Sequence, residues 1–189
     1  MRRIGILGDI GSGKSYIANC FGHPVFDADK EVAKIYKKDK KVFFKLKKIL
    51  PRYINSYPIN KDEITNAILI NKSNVKKIVK IVHFAVREKM YFFLKKNKNK
   101  KIIILDIPLL LENKINKEND ILIFVDANKK KILKKLKKRK NFNIKLISKF
   151  KKIQLPLAYK KQKSNFIIKN NYTKKGIRRD INKILNKIL

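Results

Sequence analysis

A chain of 189 residues, 44% hydrophobic and with a single cysteine, is long enough to bury a core of its own and needs no disulfide framework. Its formal charge of +36, from 50 Lys and Arg against 14 Asp and Glu, favours polyanionic partners such as nucleotides. No run approaches the roughly 18 apolar residues of a membrane span. Ile4–Leu7, behind Arg2 and Arg3, is too short for a secretory h-region, so a cytoplasmic protein without membrane contact is expected.

The charge itself is weak as a functional signal. It comes from 43 lysines and only 7 arginines, scattered over nearly the whole chain and mixed with abundant Asn and Ile. A nucleic-acid reader concentrates its cations on one face and carries a recognisable motif. Neither is visible, so a nucleic-acid partner is not expected and the lysines read as compositional bias. Cys20 reads as a packing residue on a helix, and His23, with no motif around it, as structural.

In chain order, Arg3–Leu7 is a short apolar strand that runs into glycines. Ser15–Phe21 reads as a helix, and Pro24-Val25-Phe26 as a second buried strand ending at Asp27-Ala28-Asp29. From there to about residue 100 the period is helical. Val42, Phe43, Leu46, Ile49 and Leu50 share a face that Pro51 terminates. Asn60 and Glu63 have capping-box spacing ahead of Ile64, Ile68 and Leu69. Val75, Ile78, Val79, Val82 and Val86 form another helical stripe. After the charged break Lys96–Lys101, Ile102–Leu105 and Ile121–Val125 are apolar on both faces, the mark of strands inside a parallel sheet. Phe166–Ile168 is a shorter strand candidate. Ile177, Ile181, Ile184, Leu185 and Ile188 line a terminal amphipathic helix for which Thr173 is the expected cap. Strands alternating with helices predict a doubly wound α/β sheet.

Gly8-Asp9-Ile10-Gly11-Ser12-Gly13-Lys14-Ser15 matches G-x-x-x-x-G-K-[ST] at every fixed position, with a strand before it and a helix after it. Glycines let backbone N–H groups close around phosphate oxygens, and the following helix start adds partial positive charge. Lys14 is the side chain that reaches β- and γ-phosphates, and Ser15 offers a hydroxyl to Mg²⁺. Asp106, after four apolar residues, has the form of a Walker B carboxylate near that metal, or of a strand-end Asp capping the next turn. The Asn-Lys-x-Asp of GTPases is absent and the chain is short for a mechanical ATPase. A small ATP-dependent kinase remains.

Beyond the loop, the sequence resembles the dephospho-coenzyme A kinase family nearly end to end. Pro24-Val25-Phe26-Asp27-Ala28-Asp29-Lys30, Ile107-Pro108-Leu109-Leu110-Leu111-Glu112, and Gln154-Leu155-Pro156-Leu157 with Lys160, Phe166-Ile167-Ile168 and Asn170 carry the likeness. It implies a single three-layer P-loop domain over 1–189: a five-stranded parallel sheet, a helical acceptor-binding region at about 30–100 and a basic lid at about 128–155. It implies transfer of phosphate from Mg·ATP to the ribose 3′-hydroxyl of dephospho-coenzyme A, the last step of coenzyme A synthesis. By carry-over, Asp29 is the base and Lys14 and Arg139 neutralise developing charge. Gly11, Ser12, Gly13, Lys14, Ser15 and Tyr16 hold the nucleotide, His83, Arg87 and Glu112 face the acceptor, Asp27 orients the acceptor or serves the metal, and Ser15 and Asp106 serve the metal.

Several positions depart from the family pattern. Phe84 replaces the proline of an H-P-x-V-R stretch, Asp9 stands where glycine is usual, and Tyr16 replaces a threonine. Lys135 replaces a second lid arginine, four residues before Arg139 on one helix face and without the planar fork of a guanidinium. Asn165 and Lys169 replace aspartates. Asp9 must point its charge away from the nucleotide. The lid is expected to order when nucleotide binds. The rival readings are another small-molecule or nucleoside monophosphate kinase, and a non-enzymatic basic P-loop protein that binds RNA. A monomer is expected, with a homo-oligomer left open.

Overall fold

The computed structural model describes residues 1–138 and 142–189. They form two compact units, Met1–Asp27 with Asn97–Leu189, and Ala28–Lys96.

The first unit is built on a parallel five-stranded sheet: β1 (Arg2–Gly8), β2 (Val25–Asp27), β3 (Ile102–Asp106), β4 (Ile121–Ala127) and β5 (Phe166–Asn170), in the order β2-β3-β1-β4-β5. β1 is central because its residues 3–8 are all buried. The pleat divides them between two faces. Ile4 and Ile6 join Ile102, Ile104, Ile123, Val125 and Ile168 under two helices, α1 (Lys14–Cys20) and α9 (Lys174–Ile188). α9 contributes Ile177, Ile181, Ile184 and Ile188, the helical stripe read in the sequence. Each such side chain contributes about 1.5–3 kcal/mol on burial. On the opposite face, a Cβ at Gly5 would lie 2.5 Å from Leu110 Cδ2. Glycine there lets the segment after β3 pack directly on β1. The helix α8 (Leu157–Gln162) also packs on β1.

The strand core contains one ion pair that the hydrophobic pattern conceals. Arg3 Nη2 meets Asp120 Oδ2 at 2.9 Å, with side-chain exposures of 9% and 2%. Arg3 also donates to the Ile115 carbonyl, and Asp120 Oδ2 accepts the Lys117 N–H. The two partners are 117 positions apart, so neither reads as half of a pair in the sequence. At the other edge, Asn165 both donates to and accepts from the backbone of Leu122, starting the β4–β5 ladder. Its side-chain oxygen does there what an Asp would do.

The second unit is helical: α2 (Ala28–Lys38), α3 (Lys40–Ile49), α4 (Lys61–Ile70) and α5 (Lys72–Lys96). α5 packs against the other three. Ile78, Val82, Ala85 and Val86 of α5 are buried, as are Ile35, Val42, Phe43, Leu46, Ile64 and Ile68 of the helices it packs against. A proline at position 84 would break the mid-helix ladder. With Phe84 there, α5 runs on uninterrupted, and the ring sits 68% exposed beneath the Lys45 ammonium.

Two expected caps differ in detail. Asn60 caps α4 by accepting from Asp62 N–H. Glu63 does not return to Asn60, because its carboxylate takes the N–H groups of Asn55 and Ser56. Thr173 does sit at the start of α9 but makes no side-chain cap. Its hydroxyl and its N–H both bond Asn171 Oδ1, an Asx-type turn that competes with capping. Among the described residues no helix is long and apolar enough to cross a membrane.

Candidate active site

The phosphate loop leaves β1 at Gly8 and enters α1 at Lys14. Gly13 is the N-cap of α1 at φ 94°, ψ 20°, a left-handed conformation that costs a non-glycine residue roughly 1–2 kcal/mol. A Cβ at Gly13 would also stand 2.4 Å from Asn170 Nδ2. That amide donates to the Ser12 carbonyl at 2.7 Å, while its oxygen accepts the Tyr172 N–H. Asn170, at the end of β5 and buried, thereby ties the loop to the far strand. It belongs to the quoted sequence likeness, yet nothing in its neighbours announces that role.

Lys14 folds back over the loop, with Nζ donating to the carbonyls of Gly8 at 3.2 Å and Asp9 at 2.7 Å. Ser12 is fully buried and, among the described residues, its hydroxyl has no hydrogen-bond partner. Ser15 and Tyr16 open the first turn of α1 and are exposed. Asp9 is not aimed across the loop. Its Oδ1 accepts the Ile10 N–H at 2.7 Å, and its Oδ2 lies 3.6 Å from Lys151 Nζ on α7 (Ile144–Ile153).

Beside the loop, Asp27 and Asp106 are register partners at the carboxyl ends of β2 and β3. Side chains paired across adjacent strands share a face, so two carboxylates stand together next to the loop-bearing strand. Asp106 is 4% exposed. Among the described residues no three His, Cys, Asp or Glu side chains gather as a metal cage. Two neighbouring carboxylates and a serine hydroxyl are instead a donor set for a hard cation that keeps its waters and takes phosphate oxygens.

A cleft of about 240 Å³ lies behind the loop, lined by Asp9, Ser12, Asp126, Lys129, Leu157 and Lys161 among others. Lys161 pairs with Asp126 at 2.9 Å across it. The helix α6 (Lys129–Lys137), capped by Asn128 accepting from Lys130 and Lys131, starts at its rim. Lys135 of α6 is exposed, and its ammonium sits 4.0 Å from the Tyr172 ring centroid, a cation–π contact. Arg139 lies outside the described residues.

Glu112 and Lys160 join two of the segments singled out in the sequence. Their side chains meet at 2.6 Å with exposures of 8% and 3%. The same Glu112 oxygen accepts the Leu155 N–H at 2.9 Å, and its other oxygen is buried with no hydrogen-bond partner among the described residues. Glu112 thus pins the segment after β3 to the start of α8.

The helical unit carries the remaining predicted residues. Asp29 is in the first turn of α2, two positions beyond the last residue of β2. His83 and Arg87 are four apart on α5, hence on one side of it. Burial first, and then the Arg87 charge, hold the His83 imidazole below its ordinary 6.5. It is therefore neutral at pH 7.

A central phosphate loop after β1, a β2-β3-β1-β4-β5 parallel sheet and paired carboxylates at the neighbouring strand ends define a P-loop kinase. Solved structures agree at the level of fold. TT1252 from Thermus thermophilus superposes over 100% of this chain and 98% of its own, with TM-score 0.81 and 21% identity. Dephospho-CoA kinase from Campylobacter jejuni covers 99% and 97%, with TM-score 0.65 and 22% identity. Deoxyadenosine kinase from M. mycoides with bound dATP covers 97% and 99%, with TM-score 0.54 and 17% identity. The family described as CoaE, dephospho-CoA kinase, matches residues 2–175. The dephospho-CoA kinase of Wolbachia sp. subsp. Brugia malayi (strain TRS) is 34% identical over 98% of this chain and 97% of its own, and that of Rickettsia felis 29% over 98% and 96%. The chain belongs to the dephospho-CoA kinase family, whose reaction is the last step of coenzyme A biosynthesis.

Proposed function

We propose that this chain binds Mg·ATP on Gly8–Ser15 and transfers the γ-phosphoryl group to the ribose 3′-hydroxyl of dephospho-coenzyme A. One observation carries the reading beyond family membership: the Asp27–Asp106 register pair beside a complete phosphate loop, which gives a metal-bound polyphosphate both its anion cradle and its cation donors.

The roles divide by chemistry. The backbone N–H groups of Gly11 to Tyr16 hold the β-phosphate region, aided by the start of α1. Lys14 leaves the Gly8 and Asp9 carbonyls for phosphate oxygens. Ser15 and Asp106, with Asp27 beside it, would hold Mg²⁺, which would supply charge neutralisation to the nucleotide's phosphates. Asp29 accepts the proton of the attacking hydroxyl, the task of a carboxylate placed near the γ-phosphate. Arg139 is proposed to neutralise charge on the transferring group. His83, held neutral, and Arg87 serve the acceptor as hydrogen-bonding and cationic contacts. Glu112 serves it indirectly, by fixing the segment that follows β3. Segment 128–155, with α6 and α7, is the proposed lid. A cytoplasmic setting, where ATP and dephospho-coenzyme A occur together, suits the scheme, and nothing in it calls on a second copy of the chain.

Coupled ADP release with an acceptor panel tests the substrate. Dephospho-coenzyme A should give a kcat/KM at least about 100-fold above nucleoside monophosphates or a shikimate-like alcohol, a ratio that dedicated polar contacts can supply. A nucleoside monophosphate as the best acceptor would overturn the assignment.

A further inference from the structure

The phosphate loop of this chain contains its own anion. Asp9 follows Gly8 directly, is 9% exposed, and carries a carboxylate where an incoming triphosphate needs positive potential. At a separation of several ångströms, two like charges in a partly desolvated site repel. The structure answers that charge from two sides. The Ile10 N–H satisfies Oδ1 at 2.7 Å, and the Lys151 ammonium stands 3.6 Å from Oδ2. Lys14 Nζ donates to the Asp9 carbonyl. Of the other cations on the adjoining cleft, Lys161 is paired with Asp126. Lys151 brings an ammonium onto the Asp9 carboxylate.

Its placement has a second consequence. α7 has no fully buried residue. The apolar residues Ile144 and Ile153 at its ends are 56% and 46% exposed. Leu146, Ile147 and Phe150 of α7 are half-buried, and Lys151–Asp9 adds a polar attachment between this helix and the residue after Gly8.

We propose that Lys151 is a positioning residue for nucleotide binding: by neutralising Asp9 it keeps the loop receptive to a triphosphate and couples α7 to the loop. The proposal rests on the reading that Gly8–Ser15 binds ATP. Lys151 acts through Asp9 and not on the nucleotide. Its worth must therefore vanish when Asp9 loses its charge.

Calorimetric titration of Mg·AMP-PNP into the wild-type chain, Asp9→Asn, Lys151→Met and the double variant tests this without any assumption about the acceptor. On the wild-type background, Lys151→Met should raise Kd about 5- to 10-fold, the size expected for unmasking one charge in a partly desolvated site. Asp9→Asn should bind at least as tightly as wild type. On the Asp9→Asn background, Lys151→Met should change Kd by less than about twofold, the non-additivity of groups that act through one another. Thermal melts establish that each variant is folded, including Lys151→Met, which leaves the Asp9 carboxylate without its cation. The same several-fold weakening with and without Asp9 would mean that Lys151 touches phosphate directly, and would overturn the proposal. So would an unchanged Kd for Lys151→Met. A wild-type chain that binds no nucleotide would instead remove the functional reading on which the proposal stands.

Discussion

The sheet unit and the helical unit hold their candidate residues by different means. Around the phosphate loop, position is set by backbone and by buried polar ties: Gly13 at positive φ against Asn170, Asn170 on the Ser12 carbonyl, and Glu112 locked to Lys160. In Ala28–Lys96, Asp29, His83 and Arg87 are placed by helix periodicity on α2 and α5 over an ordinary apolar interior. The contrast teaches where substitutions are read out. Changes to the ties of the sheet unit should appear as lost stability or lost nucleotide binding. Changes to exposed helix positions should appear in the chemistry, with the fold intact.

The sharpest break in that comparison is Lys160→Met. It strands the Glu112 carboxylate, 8% exposed, without its cation. Removing one partner of a buried pair costs about 3–5 kcal/mol, so the melting temperature should fall by about 6–12 °C or more for a chain of this size. A shift under about 2 °C would mean that the pair does not hold the segment after β3 in place. Adding Glu112→Gln should recover part of the loss, because no unpaired charge then remains.

The smallest effect belongs to His83 of the helical unit. The folded His83 value lies below its ordinary 6.5, so both states are neutral above that pH and the stability linked to this group is complete there. As pH falls below about 6.5, the unfolded chain takes up the proton first, and stability declines until the folded imidazole is protonated too. His83→Gln should flatten that acid-side decline in melts taken between about pH 5 and 7.5, with little change at neutral pH. Identical slopes for the two proteins would place the imidazole in an ordinary solvated site.

What the sequence made legible follows the same division. The five strands were readable because continuous apolar runs such as Ile102–Leu105 and Ile121–Val125 leave no face for water. The stripes of α3, α5 and α9 were readable because burial on one side enforces the helical period. The loop was readable because its chemistry admits few residue types. Polar ties were not. Arg3 looks like an N-terminal surface charge, Lys160 like one lysine among 43, and Asn170 like part of a tail. Each acts through a partner that only the fold brings near. Glu63 shows the converse: its spacing to Asn60 promised a capping box, but the Asn55 and Ser56 N–H groups compete for the carboxylate.

The claim at the centre is that the loop holds Mg·ATP while Asp29 takes the acceptor proton. It is tested most directly by measuring, on Asp29→Asn, the rate of phosphoryl transfer to dephospho-coenzyme A and the Kd for Mg·ATP, with Lys14→Ala alongside. Asp29→Asn should lose about 100- to 10,000-fold in rate, the span of general base catalysis, with Kd within about threefold of wild type, while Lys14→Ala loses both. Near-normal turnover by Asp29→Asn, or a Kd that collapses together with its rate, would contradict the account.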